Sequence, residues 1–206
     1  MDSKGQFKVA ILAKSNKRRN NKKDYGYCVA GIDESGKWIR FVADNDGDSL
    51  PEDVNIKVGQ VILANGKRAP LTHQIENVVL DDFCVTKETV NQYVGSLTQV
   101  DEVGIFGSTD NQLTAIEMRN VNGTLRLIGV SKLEVYWEGS VDLKCKARYE
   151  YNGTYYDGMS MTDPSNYTKK GSAPKQIGKA HIVVSLPEQP PYIKFVAAIF
   201  PQRKYK

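Results

Sequence analysis

Histidine is nearly absent from this chain: His73 and His181 are the whole supply in 206 residues. That excludes a histidine-rich metal centre and leaves few groups that titrate near neutral pH. Cysteine is scarce as well. Cys28, Cys84 and Cys145 are odd in number and too widely spaced for a zinc pattern or a disulfide framework. They are expected as small buried apolar residues in a reducing cytoplasm. Neither phosphate-loop glycine signature is present, and no Gly-x-Ser-x-Gly elbow occurs. No apolar run reaches the length of a membrane span, and the opening Met1-Asp2-Ser3-Lys4-Gly5-Gln6 has no apolar signal core. Asp44-Asn45-Asp46-Gly47-Asp48 resembles a calcium loop only in its start. Where such a loop needs Gly and then a bidentate Glu, this chain has Ser49 and Asn55. The expectation is a cytoplasmic protein with no metal, no cofactor and no membrane partner.

What is present reads as β-structure. Residues 7–13 form a continuous apolar run, the mark of a buried strand. Residues 26–33 and 37–43 form a hairpin across Glu34-Ser35-Gly36, and 58–64 and 71–79 are further strands. Thr86 is placed to cap a short helix through Val94, ended by Gly95. Residues 95–118 read as connecting structure. Strand character resumes at 124–130 and 133–138, then at 140–151 and 154–161. Asn152-Gly153 supplies a tight turn between the last two. Residues 164–179 read as a patternless loop, and 180–186 and 192–200 as the closing strands. The fold class expected is mainly β: two antiparallel five-stranded barrels of the oligonucleotide/oligosaccharide-binding (OB) type, joined by a short helical or irregular connection. The domains expected are 1–85 and 121–206, with 86–120 as the connector.

The formal charge of +4 is small, but its distribution is uneven. Lys14, Lys17, Arg18, Arg19, Lys22 and Lys23 crowd between two apolar strands, and Arg203, Lys204 and Lys206 close the chain. Residues 44–53 are acidic. A cationic cluster beside aromatic rings suits a polyanion, because it releases phosphate counterions while bases stack on the rings. The same run also reads as a solubilising loop, and both readings stand.

Several segments taken together resemble the dual OB-containing domain family of prokaryotic proteins. They are Ile11-Leu12-Ala13-Lys14-Ser15, Tyr27-Cys28-Val29-Ala30-Gly31-Ile32, Lys37-Trp38-Ile39-Arg40-Phe41-Val42 and His73-Gln74-Ile75-Glu76-Asn77-Val78. In the second half they are Tyr149-Glu150-Tyr151-Asn152-Gly153 through Tyr156, Thr162-Asp163-Pro164, Val184-Ser185-Leu186 and Lys194-Phe195-Val196-Ala197-Ala198-Ile199. The resemblance implies two OB-like barrels that recognise nucleic acid or a related ligand, often in conflict systems. It implies no catalytic residues. The basic Asn16–Asp24 segment enlarges the first loop beyond the family pattern.

The candidate nucleic-acid-binding residues fall in two groups. The first is Lys14, Lys17, Arg18, Arg19, Lys22 and Lys23 with Tyr25, Tyr27 and Arg40. It lies in the loop after the first strand, a usual OB contact region. Trp38 is expected in the core. The second is Lys144, Lys146 and Arg148 with Tyr151 and Tyr155. Alternation puts the three cations on one face of a strand and Cys145, Ala147 and Tyr149 on the other. An ordinary solvent face above an apolar face explains that pattern equally. His73, Gln74, Glu76 and Asn77 are read as a structural polar network, since strand alternation would split any acid–base pair among them. The function expected is a non-enzymatic binding module for nucleic acid, single strands favoured, or for a nucleotide-like ligand. The alternative is an adaptor or sensor subunit that meets a protein effector.

Overall fold

The computed structural model describes residues 4–15, 18–19, 25–90 and 98–202, with only the backbone of 18, 19 and 25. Contacts divide the chain into two units. One is Met1–Leu97 with Asn122–Thr124, and the other is Thr98–Val121 with Leu125–Lys206. Residues 98–120 of the expected connector fall in the second unit.

In chain order the first unit holds β1 (Lys4–Lys14), β2 (Arg18–Arg19), β3 (Tyr25–Tyr27), β4 (Val29–Asp33), β5 (Trp38–Val42), β6 (Leu50–Pro51), β7 (Gln60–Arg68) and β8 (Asn77–Thr89). Five of these close a barrel in the order β1-β4-β5-β8-β7. Its core contains Val9, Ile11, Ile39, Phe41, Ile62 and Val78, all essentially without solvent exposure. Neighbours in the barrel are antiparallel except β5 and β8, whose parallel pairing sets Arg40 beside Asn77.

The second unit holds β9 (Gln112–Leu113), α1 (Ala115–Met118), β10 (Leu125–Glu138), β11 (Lys144–Tyr151), β12 (Thr154–Met161), β13 (Lys175–Ser185), β14 (Tyr192–Ile193) and β15 (Phe195–Pro201). It repeats the closure as β10-β11-β12-β15-β13, again with one parallel pair, β12 and β15. Both barrels thus have the five-stranded order expected of an OB fold. The β11–β12 turn places Asn152 at φ 48° and Gly153 at φ 77°, the two left-handed residues that a type I′ turn needs.

Three expectations need correction. Residues 86–89 are strand, not helix: Thr86 Oγ1 donates to the Val61 carbonyl at 3.0 Å, and pairing with β7 continues to Gln60↔Thr89. The β-branched Val85, Thr86 and Thr89 fit a ladder, and the long β7 supplies it; residues 91–94 of that helix lie outside the described residues. The helix that does form, α1, has a complete capping box. Glu117 N donates to Thr114 Oγ1, and the Glu117 carboxylate accepts from Thr114 N. That Thr-x-x-Glu signal stands in the sequence at 114–117. Residues 124–130 and 133–138 are one strand, interrupted by a bulge at Lys132, where φ is 53°. Of the cysteines, Cys145 is buried, Cys28 is half-buried and Cys84 is exposed.

The second core carries two stacked tyrosines, Tyr149 and Tyr156, with centroids 5.4 Å apart. The Tyr156 hydroxyl donates to the Ser108 carbonyl at 3.3 Å, whereas the buried Tyr149 hydroxyl has no hydrogen-bond partner among the described residues. A buried unpaired hydroxyl costs about 1–3 kcal/mol. Tyr149→Phe keeps the ring stack and removes that cost. It is expected to raise the urea midpoint by about 1 kcal/mol equivalent, whereas a loss of stability in the equilibrium unfolding curve would refute this account.

Candidate nucleic-acid interface

The first candidate group sits where β1 leads into β4. Within it β2 and β3 pair, and β3 pairs in turn with β6 from beyond β5 in a three-stranded ribbon, with Gly26 opposite Pro51 and Tyr27 opposite Leu50. Leu50 is buried in the first core and anchors the ribbon. Gly26 is required by close approach: a Cβ there would run into the Leu50 carbonyl. At the root of the ribbon the Lys14 ammonium lies 4.2 Å from the Tyr27 ring centroid and donates to the Ile56 carbonyl at 2.9 Å. Burial, and secondarily the charge of Lys57, hold the Lys14 pKa below its ordinary value. The side chains of Arg18, Arg19 and Tyr25, and Lys17, Lys22 and Lys23 entirely, lie outside the described residues.

Strands β4 and β5 are the face an OB barrel commonly offers to a strand of nucleic acid. Here every residue of β5 is buried, as is β4 up to Asp33. Trp38 is buried at 9% exposure, in line with the expectation for it. Arg40 is also buried, at 7%, and its guanidinium meets Glu76 at 3.3 Å and Thr124 Oγ1 at 2.8 Å. Thr124 in turn donates its hydroxyl and its backbone N–H to the Glu76 carboxylate. Arg40 is therefore not a surface phosphate contact; its charge is spent on a buried carboxylate.

The same geometry revises the reading of residues 73–77. The segment is a turn rather than a strand, and β8 begins only at Asn77. Alternation therefore does not apply. Asn77 Nδ2 donates to Gln74 Oε1 at 3.4 Å, Glu76 turns to Arg40 and Thr124, and His73 is half-buried.

The second group divides along β11 with strict alternation: Cys145, Ala147, Tyr149 and Tyr151 point inward, and Lys144, Lys146, Arg148 and Glu150 point outward. Tyr151 is consequently a core residue, 3% exposed, whose hydroxyl accepts from Asp101 N at 3.2 Å. It is no stacking platform. Tyr155 is 56% exposed. The outward cations are engaged locally. Arg148 meets Glu134 at 2.6 Å and lies over the Tyr136 ring, Lys132 meets Glu150 at 2.6 Å, and Lys146 donates to the Gly158 carbonyl and Ser160 Oγ. Tyr136 donates to Asp157 at 2.6 Å; burial and then Asp157 push its pKa well up. Lys144 reaches Asp142 at 3.9 Å. The face carries both signs in near balance and is no cationic strip.

A dual OB-containing domain profile matches residues 7–199. The chain belongs to that family. No curated protein matches it. Solved structures similar to it include the tetrameric p202 HIN2 crystal structure, at 12% identity and a TM-score of 0.34, over 96% of this chain and 92% of that one. Among the described residues no three His, Cys, Asp or Glu side chains gather as a metal site, and no helix is long and apolar enough to cross a membrane.

One chemically notable residue escapes any reading of the dual OB sequence. Lys194 is fully buried just before β15. Its ammonium donates to the Ser108 carbonyl at 2.7 Å and lies 5.6 Å from the Tyr156 ring. Burial lowers its pKa to about 8, against weaker opposing effects of Glu117, Asp110 and Asp101. Nothing in Tyr192-Ile193-Lys194-Phe195 signals this, since a Lys at a strand start normally faces solvent.

Two outcomes follow from these buried charges. Between pH 8 and about 10.4, unfolded Lys194 holds a proton that the folded chain releases, so stability rises with pH there. Above pH 10 the buried tyrosines oppose it, because Tyr149, Tyr151 and Tyr156 resist ionisation only when folded. Urea midpoints should therefore climb from pH 8 to 9.5 in the native chain and stay flat in Lys194→Met. Glu76→Ala leaves the Arg40 guanidinium buried without its carboxylate and should cost about 3–5 kcal/mol. The paired replacement Arg40→Met with Glu76→Leu should recover most of that loss in the same denaturation assay.

Proposed function

We propose that the protein is a non-enzymatic module that binds nucleic acid, single strands in preference to duplex. The observation that carries this reading is the position of the basic stretch. Six cations between residues 14 and 23 run from the last residue of the first barrel strand into its connection to the second strand of a closed OB barrel. Proteins with this barrel commonly use that connection to hold a phosphate backbone. The β2-β3-β6 ribbon and the Lys14–Tyr27 contact support the reading, because they give the stretch a fixed base.

The chain's own chemistry narrows the contact set. Lys17, Arg18, Arg19, Lys22 and Lys23 carry the phosphate contacts, with Tyr25 and Tyr27 at the loop's edge. Lys144 and Tyr155 remain exposed candidates on the second barrel, whereas Lys146 and Arg148 are held by local partners. The absence of turnover is part of the proposal, supported by the commitment of the Glu76 carboxylate to Arg40 and Thr124.

Fluorescence anisotropy with labelled single-stranded DNA, single-stranded RNA and duplex, at two salt concentrations, tests the proposal. Replacing Lys17, Arg18, Arg19, Lys22 and Lys23 by Ala should weaken binding irrespective of sequence. It should also flatten the log–log salt slope by about 3–4, given roughly 0.7 per phosphate on a single strand. No affinity for any DNA or RNA at low salt would defeat the proposal. If the chain then co-purified with a protein partner, the adaptor reading would replace it.

A further inference from the structure

The segment that follows β12 and runs on through β13 in the second barrel has a charge pattern unlike that of the strand face beside it. From Pro164 to Pro187 the chain contains Lys169, Lys170, Lys175 and Lys179 and not one Asp or Glu. All four lysines are exposed. Among the described residues none of them forms an ion pair, in contrast to Lys132 and Arg148 on the neighbouring strands.

The segment is also anchored at both ends. Asp163 caps the short 3-10 turn at Pro164–Asn166, accepting from Ser165 N at 3.0 Å, Asn166 Nδ2 at 2.7 Å and Ile199 N at 3.1 Å. Trp137 Nε1 donates to the Thr168 carbonyl at 3.1 Å, and the Tyr167 ring meets the Trp137 ring edge-on at 5.7 Å. The Lys170 ammonium lies 5.8 Å from the Trp137 centroid, so this lysine is partly committed to the ring. At the far end Lys175 opens β13 opposite Val135, and Gln202 N donates to the Lys179 carbonyl. Four residues of strand separate Lys175 from Lys179 by about 13 Å. Exposed ammonium groups on a backbone held at both ends can bind phosphate without first ordering a loop.

We propose that residues 169–179 form a second phosphate-contacting surface, on the C-terminal barrel, that takes the backbone of a nucleic-acid strand. The inference rests on the reading of the chain as a nucleic-acid binder, but not on the basic stretch at 14–23. Lys169, Lys175 and Lys179 make the contacts, and Lys170 holds the loop to Trp137. An unpaired lysine gains the full release of phosphate counterions, whereas a paired one first gives up its carboxylate.

The test compares two triple variants of the full chain, each lowering the formal charge of +4 by three. One is K169Q/K175Q/K179Q. The control is K4Q/K8Q/K132Q, whose cations meet Asp81, Glu34 with Glu88, and Glu150. Both are titrated against a labelled 30-mer single-stranded oligonucleotide and against phosphatidylserine vesicles, after equal urea midpoints are verified. The loop variant should lose about tenfold or more in affinity at low salt and show a salt slope shallower by about 2, at roughly 0.7 per contact. The control should change little. Equal losses in the two variants, or an unchanged loop variant alongside a binding native chain, overturn this surface and leave the function proposed above standing. A native chain that binds vesicles but no oligonucleotide overturns both.

Discussion

Barrel closure is the constraint from which the rest follows. In each barrel the first strand pairs on both sides, and one parallel contact seals the ring: Phe41 beside Val78 in the first, Ser160 beside Phe195 in the second. Sealing removes the open edges that a five-stranded sheet would otherwise present. It also fixes the inward side chains, because a ring this small is filled by its own residues. Val9, Ile11 and Phe41 fill the first; Leu133, Tyr149, Tyr156 and Val184 fill the second. Chemistry that varies is left to the outer strand faces and the connections. In the first barrel even the outer face of β5 is closed, since Trp38, Arg40 and Val42 are buried. On that strand no side chain is left open to a ligand.

Much of this was legible because closure enforces a period of two. On β11 the split between Lys144, Lys146, Arg148 and Cys145, Ala147, Tyr149 follows from sequence alone. The same rule, carried one step further, assigns Tyr151 to the interior. Reading it as a platform ignored its parity with Tyr149. Arg40 misled for another reason: its partners Glu76 and Thr124 lie 36 and 84 residues away, and no local pattern announces them. Lys194 belongs to the same class, since Ser108 is 86 residues distant. Where local signals competed, the ladder prevailed. A cap signal at Thr86 gave way to β7, whereas the equally short Thr114–Glu117 box had no strand to compete with and became a helix.

Exposure and availability are different properties, and the two barrels separate them. On a sheet, side chains directly opposite sit about 4.5–5.5 Å apart, so register alone brings an outward cation to an outward carboxylate. Glu134 stands opposite Arg148, and they pair; Lys132 lies beside Glu150 across the bulge, and they pair as well. A polyanion approaching that face would have to separate each pair and would meet Glu138 and Asp157 as it came. A connection has no facing strand to impose a partner. Its charge is set by its own composition, as at Lys169 and Lys170; on β13 Lys175 is set opposite Val135 rather than a carboxylate, so among the described residues the acid-free run 164–187 forms no ion pair. Long-range attraction of a phosphate chain depends on that uncompensated charge and not on the number of cations. For the nucleic-acid binding proposed here, the contacts are therefore to be sought where cations stand without a facing carboxylate, at the basic stretch after β1 and the lysine run before and into β13.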